Sequence, residues 1–502
     1  MTDMRRRDFL FTALSSAGLL GTSGLLDRNS AYAELLREIN AAPVLTRRNV
    51  YCLPANSREI RAYKDAITAM KALPNTNGTS WEAQANIHGA FSAPAGMIAN
   101  VCRHDITFFL AWHRMYVYFF ERIARHKSGF HNFSLPFWGY SPTGMRDLPK
   151  VFRDPADASN PLFTSNRNPA INAGALINAS TVDAGTALAQ VAFNSFTSVL
   201  NGTPHGGVHV AVGGGMSSFQ GAGRDPIFWL HHCNIDRLWE VWLSQGGGRV
   251  NPTDASWLNT PWNFYDETGA TVSLTGAQIV DVANQLQYRY ESDRCGKLHA
   301  DEHGWWRRYT AVVEPPPGQA QRMAAMERGR AAGRGRSQVA QAPQMIAQST
   351  QPSRLGASVV RVTMPISASG RTLLSELGRD STANGRLNLV LEDVRVEGQP
   401  RIAYEIYIDL PANETPTYTG PNYAGNVNLF GPAPVQGQPQ RLEPQIVPLS
   451  LIFLRLTSTN RWPSDSVSVT FVPRAVLDGQ DPARLLGQAT QATIQRILVR
   501  IE

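Results

Sequence analysis

From Pro315 the chain reads PPPGQAQRMAAMERGRAAGRGRSQVAQAPQMIAQSTQPSR, a stretch of Pro, Gly, Ala, Gln and Arg with almost nothing a core could bury. Such a composition cannot offset the entropy of ordering the backbone, so 315–355 is expected to be a disordered, protease-sensitive linker. It divides a chain of 502 residues, too long for one ordinary core, into two parts of different texture. Residues 34–314 are rich in Trp and His and carry helical periodicity. Residues 356–502 break into SVVRVTMPISA, RLNLVLEDVRVEG, RIAYEIYIDLP, VPLSLIFLRL, SVSVTFVPRA and TIQRILVRIE, which alternate or run apolar in β-branched residues. The expected class is multidomain α plus β: a mainly α-helical domain followed by an antiparallel β-sandwich.

The first segment is expected to be removed rather than folded. Residues 1–33 have a basic head, an apolar middle diluted by Gly and Ser, and a small-residue cleavage site at Ala31-Tyr32-Ala33. RRDFL, with Arg6 and Arg7 followed by Phe9 and Leu10, resembles a twin-arginine signal, which implies the Tat export machinery as a partner and a periplasmic or secreted location. No window holds eighteen unbroken apolar residues, so no stable membrane span is expected. The net charge of +7 does not mark a nucleic-acid binder. Six arginines against Glu327 place +5 in 315–355, residues 1–33 add +1, and the folded remainder is close to neutral. Cys52, Cys102, Cys233 and Cys295 are too few and too scattered for a disulfide scaffold.

The histidines carry the chemistry. His88 in WEAQANIHGAF, His104 in VCRHD, His113 in AWHRMY, His205 and His209 in TPHGGVH, and the adjacent His231 and His232 in RDPIFWLHHCNIDRLWEVW lie in apolar, aromatic surroundings. Burying that much imidazole requires partners, and metal coordination is the commonest. DITFFLAWHRMYVYFFERIARH predicts a helix capped by Asp105, with Phe109, Trp112, Tyr116, Phe120 and Ile123 at three- and four-residue spacing. A second helix is capped by Asp225 and opened by Pro226, with Leu230, Leu238 and Trp242 on its apolar face.

Helical phase sorts the ligands. His205 and His209, four apart, face one way. His104 and His113 are half a turn out of phase and about 13 Å apart along an axis, so His104 is expected just outside a helix beginning at Asp105. His231 and His232 point roughly 100° apart, so one ligates while the other packs behind it, and periodicity does not choose. Two trios follow: His88, His104 and His113, and His205 and His209 with one of the pair. Imidazole-only sites suit copper, zinc, iron or nickel, and the lack of a carboxylate favours copper over a hydrolytic zinc.

HRMYVYFFERI, PHGGVH and DPIFWLHHCNIDRLWEVW resemble the coupled binuclear (type-3) copper family of tyrosinases, catechol oxidases and haemocyanins, over roughly residues 45–310. The resemblance implies a four-helix-bundle core with two copper ions, one on His88, His104 and His113, the other on His205, His209 and His232. It places His231 behind the ligands and Asp236, one turn beyond His232, where it orients an imidazole through its far nitrogen. RIAYEIYIDLP and NYAGNVNLFG resemble the C-terminal β-domain of plant polyphenol oxidases, which implies a bacterial member whose 356–502 domain shields the coppers. The implied activity is oxidation of o-diphenols to o-quinones with O2, together with ortho-hydroxylation of monophenols. An o-aminophenol oxidase, a catechol oxidase without monophenolase activity and a haemocyanin-like dioxygen carrier are the alternatives.

Some positions bear on the details of that resemblance. Plant enzymes join a cysteine four residues after the first ligand to the second ligand; here that position is Ser92. Cys102 stands two before His104 instead, as in fungal tyrosinases, which implies a Cys102–His104 thioether that restrains the ring. Phe219, thirteen residues before His232, matches the residue that gates the plant site. Where many tyrosinases carry a Glu before the first ligand of the second copper and an Asn after it, this chain has Asn201 and Gly206. Gly206 has no side chain to bond, so a base for monophenols must come from elsewhere. Gly206 and Gly207 are also expected to leave that rim open to larger substrates.

Overall fold

The computed structural model describes residues 43–140, 145–291, 342–379, 386–435, 438–463 and 465–502. The signal-like segment 1–33 and the 315–341 part of the expected linker lie outside the described residues. The N-terminal part is built on helices α1 (Arg58–Lys71), α2 (Trp81–His88), α3 (Phe109–Ser128), α4 (Gly207–Val212) and α5 (Pro226–Ser244). Side-chain caps start three of them: Ser57 accepts from the Ile60 N–H, Ser80 from Ala83, and Asp225 from Ile227. Most residues of α3 and α5 are buried, and the Phe120 and Trp229 rings stack between them with centroids 3.5 Å apart. Helices enclosed this fully hold their histidines away from water.

The start of α3 differs from expectation. Asp105 Oδ1 accepts from the Thr107 and Phe108 N–H groups at 3.0 and 2.9 Å, and the α-helix begins only at Phe109. The carboxylate, bonding its own neighbours, stabilises a turn in place of a first helical turn. That turn carries His104 off the helix end.

Short strands tie the ends of this part together. β1 (Leu45–Arg47) pairs in parallel with β4 (Tyr288–Tyr290), and β2 (Pro261–Tyr265) forms a hairpin with β3 (Thr271–Thr275). The first pairing brings Arg47, Tyr288 and Tyr290 beneath α3 and α5. Cys52 is disulfide-bonded, while Cys102 and Cys233 form no disulfide.

The C-terminal part consists of two antiparallel sheets, as the alternation implied. β7 (Val360–Pro365), β9 (Ile402–Ile408), β10 (Tyr423–Asn426) and β13 (Ser466–Ala475) form one in the order β10-β9-β13-β7. The other is centred on β8 (Leu387–Val396) and β14 (Ala492–Ile501), edged by β5 (Gln344–Gln348), β6 (Ser353–Leu355), β11 (Gln440–Leu442) and β12 (Gln445–Pro448). Two expectations are corrected here. Residues 342–355, assigned to the linker, include β5 and β6, which pair with β14 and bury Ile346, Ala347 and Leu355. VPLSLIFLRL is not one strand: after β12 it becomes a helix, α7 (Ser450–Ser458), with Ile452, Phe453 and Leu456 on its buried face. A continuous apolar run has no period-2 signal to separate the two conformations. Helix α6 (Ala368–Arg379) precedes β8.

The two parts meet through main-chain bonds. The Asn178 N–H donates to the Val476 carbonyl and the Asp478 N–H to Leu176, both at 2.8 Å, beside an Arg146–Asp478 ion pair at 2.7 Å. A second seam joins Ser218 to Gly431, with the Phe219 N–H donating to the Gly431 carbonyl at 2.9 Å.

Candidate metal centre

The seven histidines singled out from the sequence converge. His88 ends α2, His104 sits in the turn before α3, and His113 lies one turn into it. Their ring centroids are 5.3 Å (His88–His104), 5.6 Å (His88–His113) and 5.1 Å (His104–His113) apart. His205 lies in a kinked segment (Asn201–Gly206), extended at Thr203, that runs into α4, where His209 lies, and His232 comes from α5. These rings are 4.7 Å (His205–His209), 5.1 Å (His205–His232) and 5.5 Å (His209–His232) apart. The trios face each other: His113 stacks on His232 at 4.5 Å, and His104 lies 5.7 Å from His205.

Backbone carbonyls set the tautomers. Nδ1–H of His88 donates to Phe219 O, of His113 to Phe109 O and of His209 to Met216 O, each at 2.8 Å, and of His205 to Asn201 O at 3.1 Å. A neutral ring that donates from Nδ1 keeps its lone pair on Nε2. The Nε2 atoms of His88, His104, His113 and His205 are buried with no hydrogen-bond partner, and those of His209 and His232 face each other at 3.4 Å. Orphaned buried acceptors are costly unless a cation satisfies them. The donor set therefore fits two borderline-soft metal ions such as copper. Burial, and then crowding by the other imidazoles, lowers the pKa of His104, His113, His205, His209, His231 and His232; burial brings His88 down to about 4. The rings are neutral and ready to ligate.

His231 is close to the second trio, and each of His205, His209, His231 and His232 offers a nitrogen within 4.8 Å of the others. Its surroundings differ from those of His232. The Tyr140 hydroxyl lies 3.1 Å from its Nδ1. His232 instead lies against His88 and His113 of the first trio.

Asp236 does not orient an imidazole. Its carboxylate accepts from Arg114 Nε (2.5 Å), Arg47 Nη1 (3.2 Å), Tyr288 OH (2.6 Å) and Tyr290 OH (2.5 Å). Arg47 also bonds Glu121 and covers the Tyr288 ring, and Arg114 bonds Glu240 and covers Trp239. Burial disfavours the charge on Asp236, yet Arg114 and Arg47 hold its carboxyl below the usual range. One turn along α5 points it at this ionic floor under the bundle rather than at the rings.

Cys102 shares a cluster with His88 and His104 in which one ligand atom of each lies within 4.8 Å of the others, and burial pushes its thiol up to about 12. Phe219 stacks on His104 at 4.2 Å. The Asn201 amide donates to the His104 carbonyl at 2.9 Å. The rim at Gly206 is not open: the Asn428 side chain from the C-terminal part fills the space beside it, and Thr181 fills that beside Gly207. Two aromatic residues were not foreseen. Phe228 lies one turn before His232 and touches its ring at 4.3 Å, a position readable from the helical phase of α5. Phe430 stacks on His209 at 3.8 Å and also meets His88, His104 and His205. It reaches the rings only because two parts of the chain dock, which no local pattern encodes.

The common central domain of tyrosinase matches over residues 78–177 and 154–245, spanning the elements that hold six of these histidines and His231 beside them. Its central part is similar to tyrosinases and polyphenol oxidases. The polyphenol oxidase middle domain matches 251–301, and a domain of unknown function matches 342–499. The latent form of polyphenol oxidase from Prunus armeniaca is 31% identical over 276 residues, 46% of this chain and 46% of that one, so the match spans about half of that relative. The polyphenol oxidase of Malus domestica is 26% identical over 468 residues, 82% of this chain and 73% of that one. In fold, the chain is similar to latent aurone synthase, a polyphenol oxidase, with a TM-score of 0.62 and 21% identity over 92% of this chain and 90% of that one. That structure, too, pairs with both parts of this chain. No helix among the described residues is long and apolar enough to cross a membrane.

Proposed function

We propose that the chain is a copper-dependent oxidase of phenols, with His88, His104 and His113 holding one ion and His205, His209 and His232 the other. The facing trios of neutral imidazoles, four of them with buried, unpartnered Nε2 atoms, carry this reading. Two copper ions there supply the redox capacity to reduce O2 while a bound o-diphenol is oxidised to its o-quinone. The protein's part is positional. Backbone carbonyls fix four of the rings, and Phe219 covers the face of His104 as a gate past which the phenol enters.

His104 is the one ring of the first trio that no protein hydrogen bond orients, which favours a Cys102–His104 thioether as its restraint. The Asn201 amide is spent on a backbone carbonyl and Gly206 offers nothing, so ortho-hydroxylation of monophenols is expected to be slower than oxidation of diphenols. His231 supports the second trio from behind. The C-terminal domain shields the site with Phe430, and cutting the linker exposes it. Export of a bacterial protein by the Tat machinery, to the periplasm or beyond, completes the proposal.

Oxygen uptake by the copper-loaded chain, with catechol, tyrosine and o-aminophenol, before and after proteolysis of the linker, tests it. Catechol should respond most, and more after the cut. A dominant response to o-aminophenol makes the enzyme an o-aminophenol oxidase. No response to any of the three, with copper bound, overturns the oxidase in favour of an oxygen carrier.

A further inference from the structure

Phe430 is carried into the ring of histidines by residues 427–433, and each contact holding that segment is identifiable. From its own domain, the Tyr404 carbonyl accepts the Val427 N–H at 2.9 Å, while Gln445 accepts the Asn428 N–H (2.9 Å) and donates to the Asn428 carbonyl (2.6 Å). Asn428 Oδ1 accepts the Phe430 N–H at 3.1 Å, a local turn that fixes the aromatic ring two residues on. From the helical domain, Phe219 donates to the Gly431 carbonyl and Gln220 Oε1 accepts from the Ala433 N–H at 2.7 Å.

The remaining contact is made by the absence of side chains. Gly202 and Gly206, on either side of the kink in the segment that carries His205, face Asn426 and Asn428. A Cβ on Gly202 would lie 3.2 Å from the Asn426 carbonyl oxygen. A Cβ on Gly206 would lie 2.0 Å from Asn428 Oδ1 and 2.8 Å from its Cγ. The Asn428 amide thus occupies the volume that a side chain at 206 would need. Its oxygen cannot swing aside without releasing the Phe430 N–H, and its backbone is clamped by Gln445.

We infer that Gly206 is a socket for Asn428, and that this fit, rather than the linker alone, seats Phe430 against the histidines and keeps the site closed. The inference rests on the proposed copper oxidase and specifies how it is held latent. A glycine next to a metal ligand is then explained by a contact with a distant domain. Position 206 decides whether the site is open, and Asn428 is a positioning residue that acts through Phe430.

The test uses the full-length, copper-loaded chain with the linker intact. Hydrogen exchange of the 427–431 amides reports docking, copper per chain reports the centre, and catechol oxidation reports access. Gly206→Ala should speed exchange and raise catechol oxidation about fivefold or more, the population shift expected from losing one side-chain hydrogen bond. Asn428→Trp should act in the same direction without altering the helical domain, which keeps the test informative if Gly206→Ala disturbs copper binding. Wild-type exchange in both Gly206→Ala and Asn428→Trp would overturn the socket. If wild type cut at the linker binds two coppers yet never oxidises catechol, the oxidase reading falls, while the exchange data still decide the socket.

Discussion

Replacing Asp236 by Asn separates the two roles that its position on α5 suggests. The side chain keeps its shape but loses the charge that faces Arg47 and Arg114, both fully buried. Removing one partner of a buried ionic cluster typically costs 3–5 kcal/mol. Because Arg47 retains Glu121 and Arg114 retains Glu240, the expected loss is at the lower end, about 3 kcal/mol. For a helical unit of this size that corresponds to a fall of roughly 6–12 °C in the melting temperature. The pH dependence follows from the depressed carboxyl. A group whose folded-state pKa lies below its unfolded value stabilises above the unfolded pKa and ceases to do so as pH falls through the folded one. The variant should therefore be destabilised most at neutral pH and converge with wild type in acid. Differential scanning calorimetry at several pH values, alongside copper per chain, measures both effects. Among the described residues no imidazole bonds Asp236, so copper stoichiometry at 20 °C should be unchanged. A variant as stable as wild type, or one that loses copper without losing stability, would refute the reasoning.

Asp236 also shows where a single sequence stops being legible. Its helix, cap and first-turn proline followed from local chemistry, and the phase of α5 correctly set it one turn beyond His232. Its partners Arg47, Tyr288 and Tyr290 arrive through the β1–β4 pairing of distant segments, which periodicity cannot foresee. The histidines were legible for the opposite reason: imidazoles on apolar helices have few uses, and helical phase sorts them. β5 and β6 were missed because edge strands with few buried residues read like the polar linker beside them. Asn428 and Phe430 belong to the docking of two domains, so the closed rim at Gly206 could not be read from glycines that suggest an open one.

Other expectations follow from the site. His113→Ala or His209→Ala should empty one half of the centre and abolish turnover, as read by metal analysis and oxygen uptake; turnover with one copper would contradict the paired site. Peptide mapping of the copper-loaded chain should find Cys102 joined to the His104 peptide, and a Cys102 that alkylates freely would end the thioether. Phe219→Ala, which uncovers the face of His104, should change KM for bulky phenols several-fold more than for catechol; equal effects on both would make Phe219 a packing residue.

The account depends most on two ions held by facing trios of imidazole. Anomalous scattering at the copper edge from crystals of the loaded protein measures this directly. It should reveal two copper positions, one bounded by His88, His104 and His113 and the other by His205, His209 and His232, with His231 bound to neither. A single copper peak, or one ligated by His231 in place of His232, would contradict it.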